Sequence, residues 1–113
     1  MAPVRELASK EEWKELVESG DIILVDFAGK WCPPCQKIKP IFEELAANCT
    51  SSKLIFLRVD IDEFADLMQE CGVKCMPYFQ VWHDGQKLEK LIGAGESSIR
   101  DLKLMVEKYQ AEK

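Results

Sequence analysis

The chain has one histidine, no run of basic residues and no apolar stretch approaching the length of a membrane span. With a formal net charge of -5 and no basic tract, the sequence argues against nucleic acid and anionic membrane as main partners. His83 adjoins the Asp84-Gly85 pair, where a solvent-facing turn residue is expected and not a catalytic base. The opening Met1-Ala2-Pro3-Val4-Arg5-Glu6 has no apolar core of a signal peptide. Together these absences point to a soluble, unexported, cytoplasmic protein. Internal repeats, low-complexity tracts and linkers are also missing, so residues 1–113 are read as a single domain.

What is present is apolar and sulfur-rich. A hydrophobic content of 47% supports a real core without disulfide staples. Five cysteines in a reducing compartment suggest catalysis, metal binding or inert packing more than a disulfide framework. Two of them stand in Trp31-Cys32-Pro33-Pro34-Cys35, between an apolar run, Ile22 to Ala28, and a stretch where Ile38, Ile41, Phe42 and Leu45 recur at helical spacing. The first reads as a strand covered on both faces and the second as a helix with one apolar stripe. The cysteines therefore lie on a strand-to-helix turn, where Pro33 and Pro34 suit the first helical positions.

Cys32 would sit at the helix N-terminus, with Cys35 one turn in and on the same side. A free thiol has a pKa of about 8.5, and the positive end of a helix favours the thiolate, so Cys32 is expected to be the nucleophile. Cys35, deeper in the helix, is the expected resolving thiol. The cycle implied is attack by Cys32 on a disulfide, a mixed disulfide, then release by Cys35 with closure of Cys32–Cys35.

Along the chain, an extended start around Val4 to Leu7 leads to the capping-box pattern Ser9-Lys10-Glu11-Glu12 and a helix with Trp13, Leu16 and Val17 inward, closed by Gly20. Pro40 is expected to kink the second helix. After a polar break, Leu54 to Val59 reads as a buried strand, and Phe64, Leu67, Met68 and Cys71 share a helical face ended by Gly72. Tyr78 to Trp82 and Lys87 to Ile92 flank Asp84-Gly85 as an antiparallel hairpin, and Ile99, Leu102, Val106 and Tyr109 line a closing helix. The order is βαβαβαββα, an α/β fold with a central mixed five-stranded sheet flanked by four helices.

Val25-Asp26-Phe27-Ala28, Trp31-Cys32, Pro34-Cys35, Lys39-Pro40, Val59-Asp60-Ile61-Asp62, Val73-Lys74-Cys75-Met76-Pro77, Asp84-Gly85 and Gly93-Ala94 together resemble the thioredoxin family, in its cytosolic animal-type branch, over nearly the whole chain. The resemblance implies a thioredoxin fold and protein-disulfide reduction that maintains cell redox balance. It implies no bound cofactor, with electrons from NADPH through thioredoxin reductase. Implied clients include peroxiredoxin, methionine sulfoxide reductase and ribonucleotide reductase.

Met76-Pro77 would be a cis peptide facing the cysteines. Trp31, Pro33, Pro34, Cys75, Met76, Pro77, Gly93 and Ala94 would bind substrate in a shallow groove. Asp26 matches the family's buried carboxylate. Read from the residues, a lone acid inside Ile22 to Phe27 is either a proton acceptor for Cys35, its pKa raised by burial, or a turn acid at a strand end. Lys39 matches the family too and would favour nearby negative charge. Pro33 departs from the glycine that most of the family has, and Cys-Pro-Pro-Cys also occurs in tryparedoxins and nucleoredoxins, whose electrons come from low-molecular-weight thiols.

Two further readings compete. A structural zinc site would join Cys32 and Cys35 to Cys71 and Cys75, although an apolar-rich chain of this size needs no metal to fold. A thioredoxin-fold module whose redox state gates partner docking is the other. Cys49 and Cys71 continue apolar stripes and read as packing residues. Cys75, in a polar loop, reads as an exposed thiol and a regulatory candidate, able to link a dimer where the chain is otherwise a monomer with at most weak self-association through the groove.

Overall fold

Residues 3–111 are described by the structure, a computed structural model. A short strand, β1 (Arg5–Glu6), precedes α1 (Lys10–Val17), β2 (Ile22–Ala28) and α2 (Pro33–Ala47). Then follow β3 (Leu54–Asp60), α3 (Ala65–Glu70), β4 (Tyr78–His83), β5 (Gln86–Ile92) and α4 (Glu96–Gln110). This is the βαβαβαββα order expected from the sequence.

Local chemistry sets the element boundaries. Ser9 is extended, and its Oγ accepts the Glu12 N–H at 3.1 Å while Glu12 Oε1 accepts the Ala8 N–H at 2.8 Å. The first bond satisfies a donor that the helix start would orphan, and the second ties down the chain entering the helix. α2 runs on through Pro40 to Ala47, with Pro40 on its exposed side. Asp84 and Gly85 both have positive φ, 52° and 76°, the backbone of a tight hairpin turn joining β4 to β5.

The strands lie in the order β1-β3-β2-β4-β5, with β1 and β2 parallel to β3, and β4 antiparallel to both β2 and β5. Side chains alternate across a strand, so β2 divides its residues between two helical layers. Ile22 and Leu24 pack with Leu54, Phe56, Phe79 and Val81 beneath Ile38, Phe42 and Ala46 of α2 and Leu102 and Val106 of α4. Ile23, Val25 and Phe27 pack on the opposite face with Trp13, Leu16 and Val17 of α1 and Leu67 of α3. The same alternation puts Asp26 on the face covered by α2. That is how an acid reaches the underside of the cysteine turn.

Candidate active site

β2 ends at Ala28, and Gly29, Lys30 and Trp31 carry the chain to Cys32, the N-cap of α2. Cys32 is extended (φ -98°, ψ 106°), and its Sγ accepts the Cys35 N–H at 3.2 Å, so the sulfur takes the role a serine or aspartate oxygen has at most helix starts. Pro33 and Pro34 fill the first two helical positions, where no N–H is needed. Cys32 and Cys35 are joined as a disulfide with Cα atoms 5.2 Å apart. The Cys32 side is partly exposed whereas Cys35 is buried.

Beneath them Asp26 is 1% exposed, in mid-strand and not at a strand end, so the turn-acid reading does not hold. Burial pushes its pKa up to about 7, against the lowering effect of the Arg58 guanidinium. Arg58 lies directly opposite Asp26 in the β2–β3 register, with Nε 3.6 Å from Oδ2. The same guanidinium reaches outward through Nη1 to Glu6 at 3.0 Å and Glu43 at 3.7 Å. It is shared among three carboxylates, which leaves Asp26 incompletely compensated. Among the described residues, Asp26 Oδ1 and Arg58 Nη2 find no hydrogen-bond partner. Asp26, Arg58, Cys35 and Lys39 all line one cavity of about 200 Å³, roomy enough for water.

Two clefts flank the sulfurs and share Met76 as a common wall. One holds Cys32 with Trp31, Ile61 and Asp62; the other holds Pro33, Pro34, Lys37 and the Gly93–Gly95 loop. Trp31 is 90% exposed, an indole standing free beside the disulfide. The Met76-Pro77 peptide is cis, and the Gly93 N–H donates to the Pro77 carbonyl at 3.0 Å, tying the glycine loop to the start of β4. Gly93 has φ +98°, and a Cβ there would stand 3.1 Å from Ser98 Oγ, so the loop favours glycine at this point.

Residues 4–107 match the family model described as Thioredoxin. The chain belongs to the thioredoxin family. It is 41% identical over 98 residues to human thioredoxin, covering 85% of this chain and 91% of that protein. It is 37% identical over 99 residues to thioredoxin of Coprinus comatus, covering 88% and 93% respectively. Among solved structures it resembles thioredoxin (Mala s 13) of Malassezia sympodialis with a TM-score of 0.89 at 30% identity, covering 98% of this chain and 94% of that one. Membership, together with the Cys32–Cys35 disulfide, makes this thioredoxin-family chain a thiol-disulfide oxidoreductase acting as a protein-disulfide reductase.

Within this thioredoxin fold, the residues singled out in the sequence fall into separate groups. Trp31, Cys32, Pro33, Pro34, Met76, Gly93 and Ala94 border the two clefts, and Asp26, Cys35 and Lys39 border the cavity below. Pro77 is buried and lines neither cleft. Cys75 is exposed one residue before Met76 and also lines neither. Cys71 is buried in the layer of α1 and α3, where it packs as the sequence suggested, and Cys49 is buried under α2. Among the described residues no group of three or more His, Cys, Asp or Glu is placed to hold a metal ion. Arg58 escaped the sequence reading, yet the signal was there. It is the one charge inside Leu54 to Val59, as out of place as Asp26 in the neighbouring strand.

Proposed function

We propose that Cys32 is the attacking sulfur, Cys35 the resolving one and Asp26 the proton acceptor of this reductase, fed by NADPH through thioredoxin reductase in the cytosol. The observation that carries the assignment is the position of the disulfide, capping α2 at its exposed end with a buried carboxylate under its inner end.

In the reduced protein the Cys32 thiolate attacks one sulfur of a client disulfide. A mixed disulfide forms and the first client thiolate leaves. The helix N-terminus and the Cys35 N–H both favour negative charge on Cys32 Sγ, before attack and when it becomes a leaving group. Asp26 takes the Cys35 proton through water in the cavity, and the freed Cys35 thiolate attacks Cys32. The second client thiolate is expelled and Cys32–Cys35 closes. A carboxyl with a pKa of about 7 is suited to both halves of that exchange, because it is partly ionised near neutral pH. Lys39, at the cavity wall, supports the charge on Asp26.

The client segment lies across Met76, with Trp31, Pro33, Pro34, Gly93 and Ala94 as walls and Pro77 and Cys75 flanking the backbone it meets. Peroxiredoxin, methionine sulfoxide reductase and ribonucleotide reductase are the clients this reading expects, and the animal-type branch is the one it assigns. Pro33 favours one second reading, in which a low-molecular-weight thiol supplies the electrons.

The test is turnover of a protein disulfide with NADPH and thioredoxin reductase, compared with glutathione as donor. Cys32→Ser is expected to abolish turnover, and Cys35→Ser to accumulate a mixed disulfide visible by mass. Turnover with glutathione alone at the higher rate would favour the second reading. A client interaction that survives Cys32→Ser with Cys35→Ser, and no turnover from either donor, would mean a docking module.

A further inference from the structure

The two clefts beside the disulfide differ in charge. Lys37 is the one ionic side chain lining the larger cleft, of about 470 Å³, and Asp62 the one ionic side chain lining the smaller, of about 190 Å³. Both side chains are exposed, and among the described residues neither takes part in an ion pair, although Lys30 and Asp60 nearby pair with each other. The Asp62 N–H donates to Asp60 Oδ1 at 2.9 Å, which fixes the loop from which the Asp62 carboxylate projects. Met76 lines both clefts and joins the one that holds Lys37 to the one that holds Asp62. The docking surface is therefore a short apolar saddle with a cation at one end and an anion at the other.

We propose that this polarity selects client segments that carry an acidic residue on one side of the scissile cysteine and a basic residue on the other, in one chain direction only. The proposal rests on the reductase reading and adds to it the order of charges along the client. An extended segment whose cysteine meets Cys32 sends one flank over Pro34 toward Lys37 and the other past Trp31 toward Asp62. Since neither charge has an ion-pair partner among the described residues to give up, each can pair with the client. An exposed pair is worth roughly 2- to 5-fold in affinity or rate, and reversal of the segment replaces two attractions by two repulsions. Both effects fade as salt screens them. The chemistry is unchanged: the client S–S bond breaks to two thiols, and the protein dithiol supplies two electrons and two protons as Cys32–Cys35 closes.

The experiment uses the full reduced chain in single turnover against two symmetric peptide disulfides of identical composition. One peptide has glutamate before and lysine after its cysteine, and the other has the reverse order. At low salt one peptide is expected to react about 15-fold or more faster, with the gap closing at high salt. Lys37→Glu combined with Asp62→Lys should invert the preference, and Lys37→Gln or Asp62→Asn alone should narrow it. Equal rates for the two peptides, or a preference untouched by the charge swap, would overturn the polarity and leave the reductase standing. Failure of the unmodified protein to reduce either peptide would instead overturn the reductase reading beneath it.

Discussion

Asp26, the proposed proton acceptor, is a residue whose burial costs stability once it ionises. Its carboxyl titrates near 7 in the folded chain against 3.8 as its ordinary value, with burial the dominant cause. The folded state thus holds this proton more tightly than the unfolded one. The corresponding stability is fully present below about pH 4 and is lost as pH rises through about 7. Asp26→Asn removes the ionisation, so the variant should be more stable than the parent at pH 8 by roughly 1 to 4 kcal/mol, with the difference vanishing near pH 4, as read by urea unfolding at both pH values. The same variant should slow release of the mixed disulfide about a hundredfold and erase the rise of that step through pH 7.

The neighbouring charges give a second check of opposite signs. Arg58 lowers the Asp26 pKa and Glu6 raises it. In a carboxyl titration followed by carbon NMR, Arg58→Met should move Asp26 above 7 and Glu6→Gln should move it down. Shifts in the same direction would sink the electrostatic account. Asp26 was legible in the sequence because one acid broke an apolar run. Its counter-ion was equally visible, but the pairing was not, since only the parallel register of β2 and β3 puts residues 26 and 58 side by side.

Elements here do more than carry side chains. α2 uses one of its own redox cysteines as its cap, so the Cys35 N–H that the helix leaves unpaired points at the Cys32 sulfur, the one proposed to bear charge. α1 uses an ordinary cap in a purely structural role, and it closes the far layer through Trp13, whose ring meets Phe27 and Trp82. Ser9→Ala should therefore lower stability by about 1 kcal/mol and the melting temperature by a few degrees, without changing disulfide turnover. A loss of turnover beyond that expected from unfolding would mean α1 reaches the active site. Capping boxes, hairpin turns and continuous apolar runs are written in adjacent residues, which is why α1, β2, β4 and β5 could be read from the chain. α3 is harder, a six-residue helix without a side-chain cap at Phe64. β1 spans two residues within the extended start read at Val4 to Leu7, and its parallel pairing with the edge of β3 is the part that no local pattern announces.

At the scale of the whole molecule, folding sorts five chemically similar thiols into different fates. Cys35 is buried in the redox pair, Cys49 lies under α2, and Cys71 is sealed in the α1–α3 layer, where burial pushes its thiol up to about 11. Cys75 alone among the free cysteines is exposed, on the loop that leads to Met76. Reactivity follows thiolate population and access, and Cys71 fails on both counts. In the reduced folded protein an alkylating reagent should therefore modify Cys32 and Cys75 first, and reach Cys49 and Cys71 only on unfolding, as peptide mass mapping over time would record. Under peroxide, which accepts the two electrons as two thiols join, covalent dimers should form through Cys75 of each copy. Such a dimer would bring a second chain against the Met76 clefts and slow client reduction until a reductant opens it. Dimers that persist in Cys75→Ser on a non-reducing gel would assign the linkage to Cys32 instead and remove Cys75 from regulation.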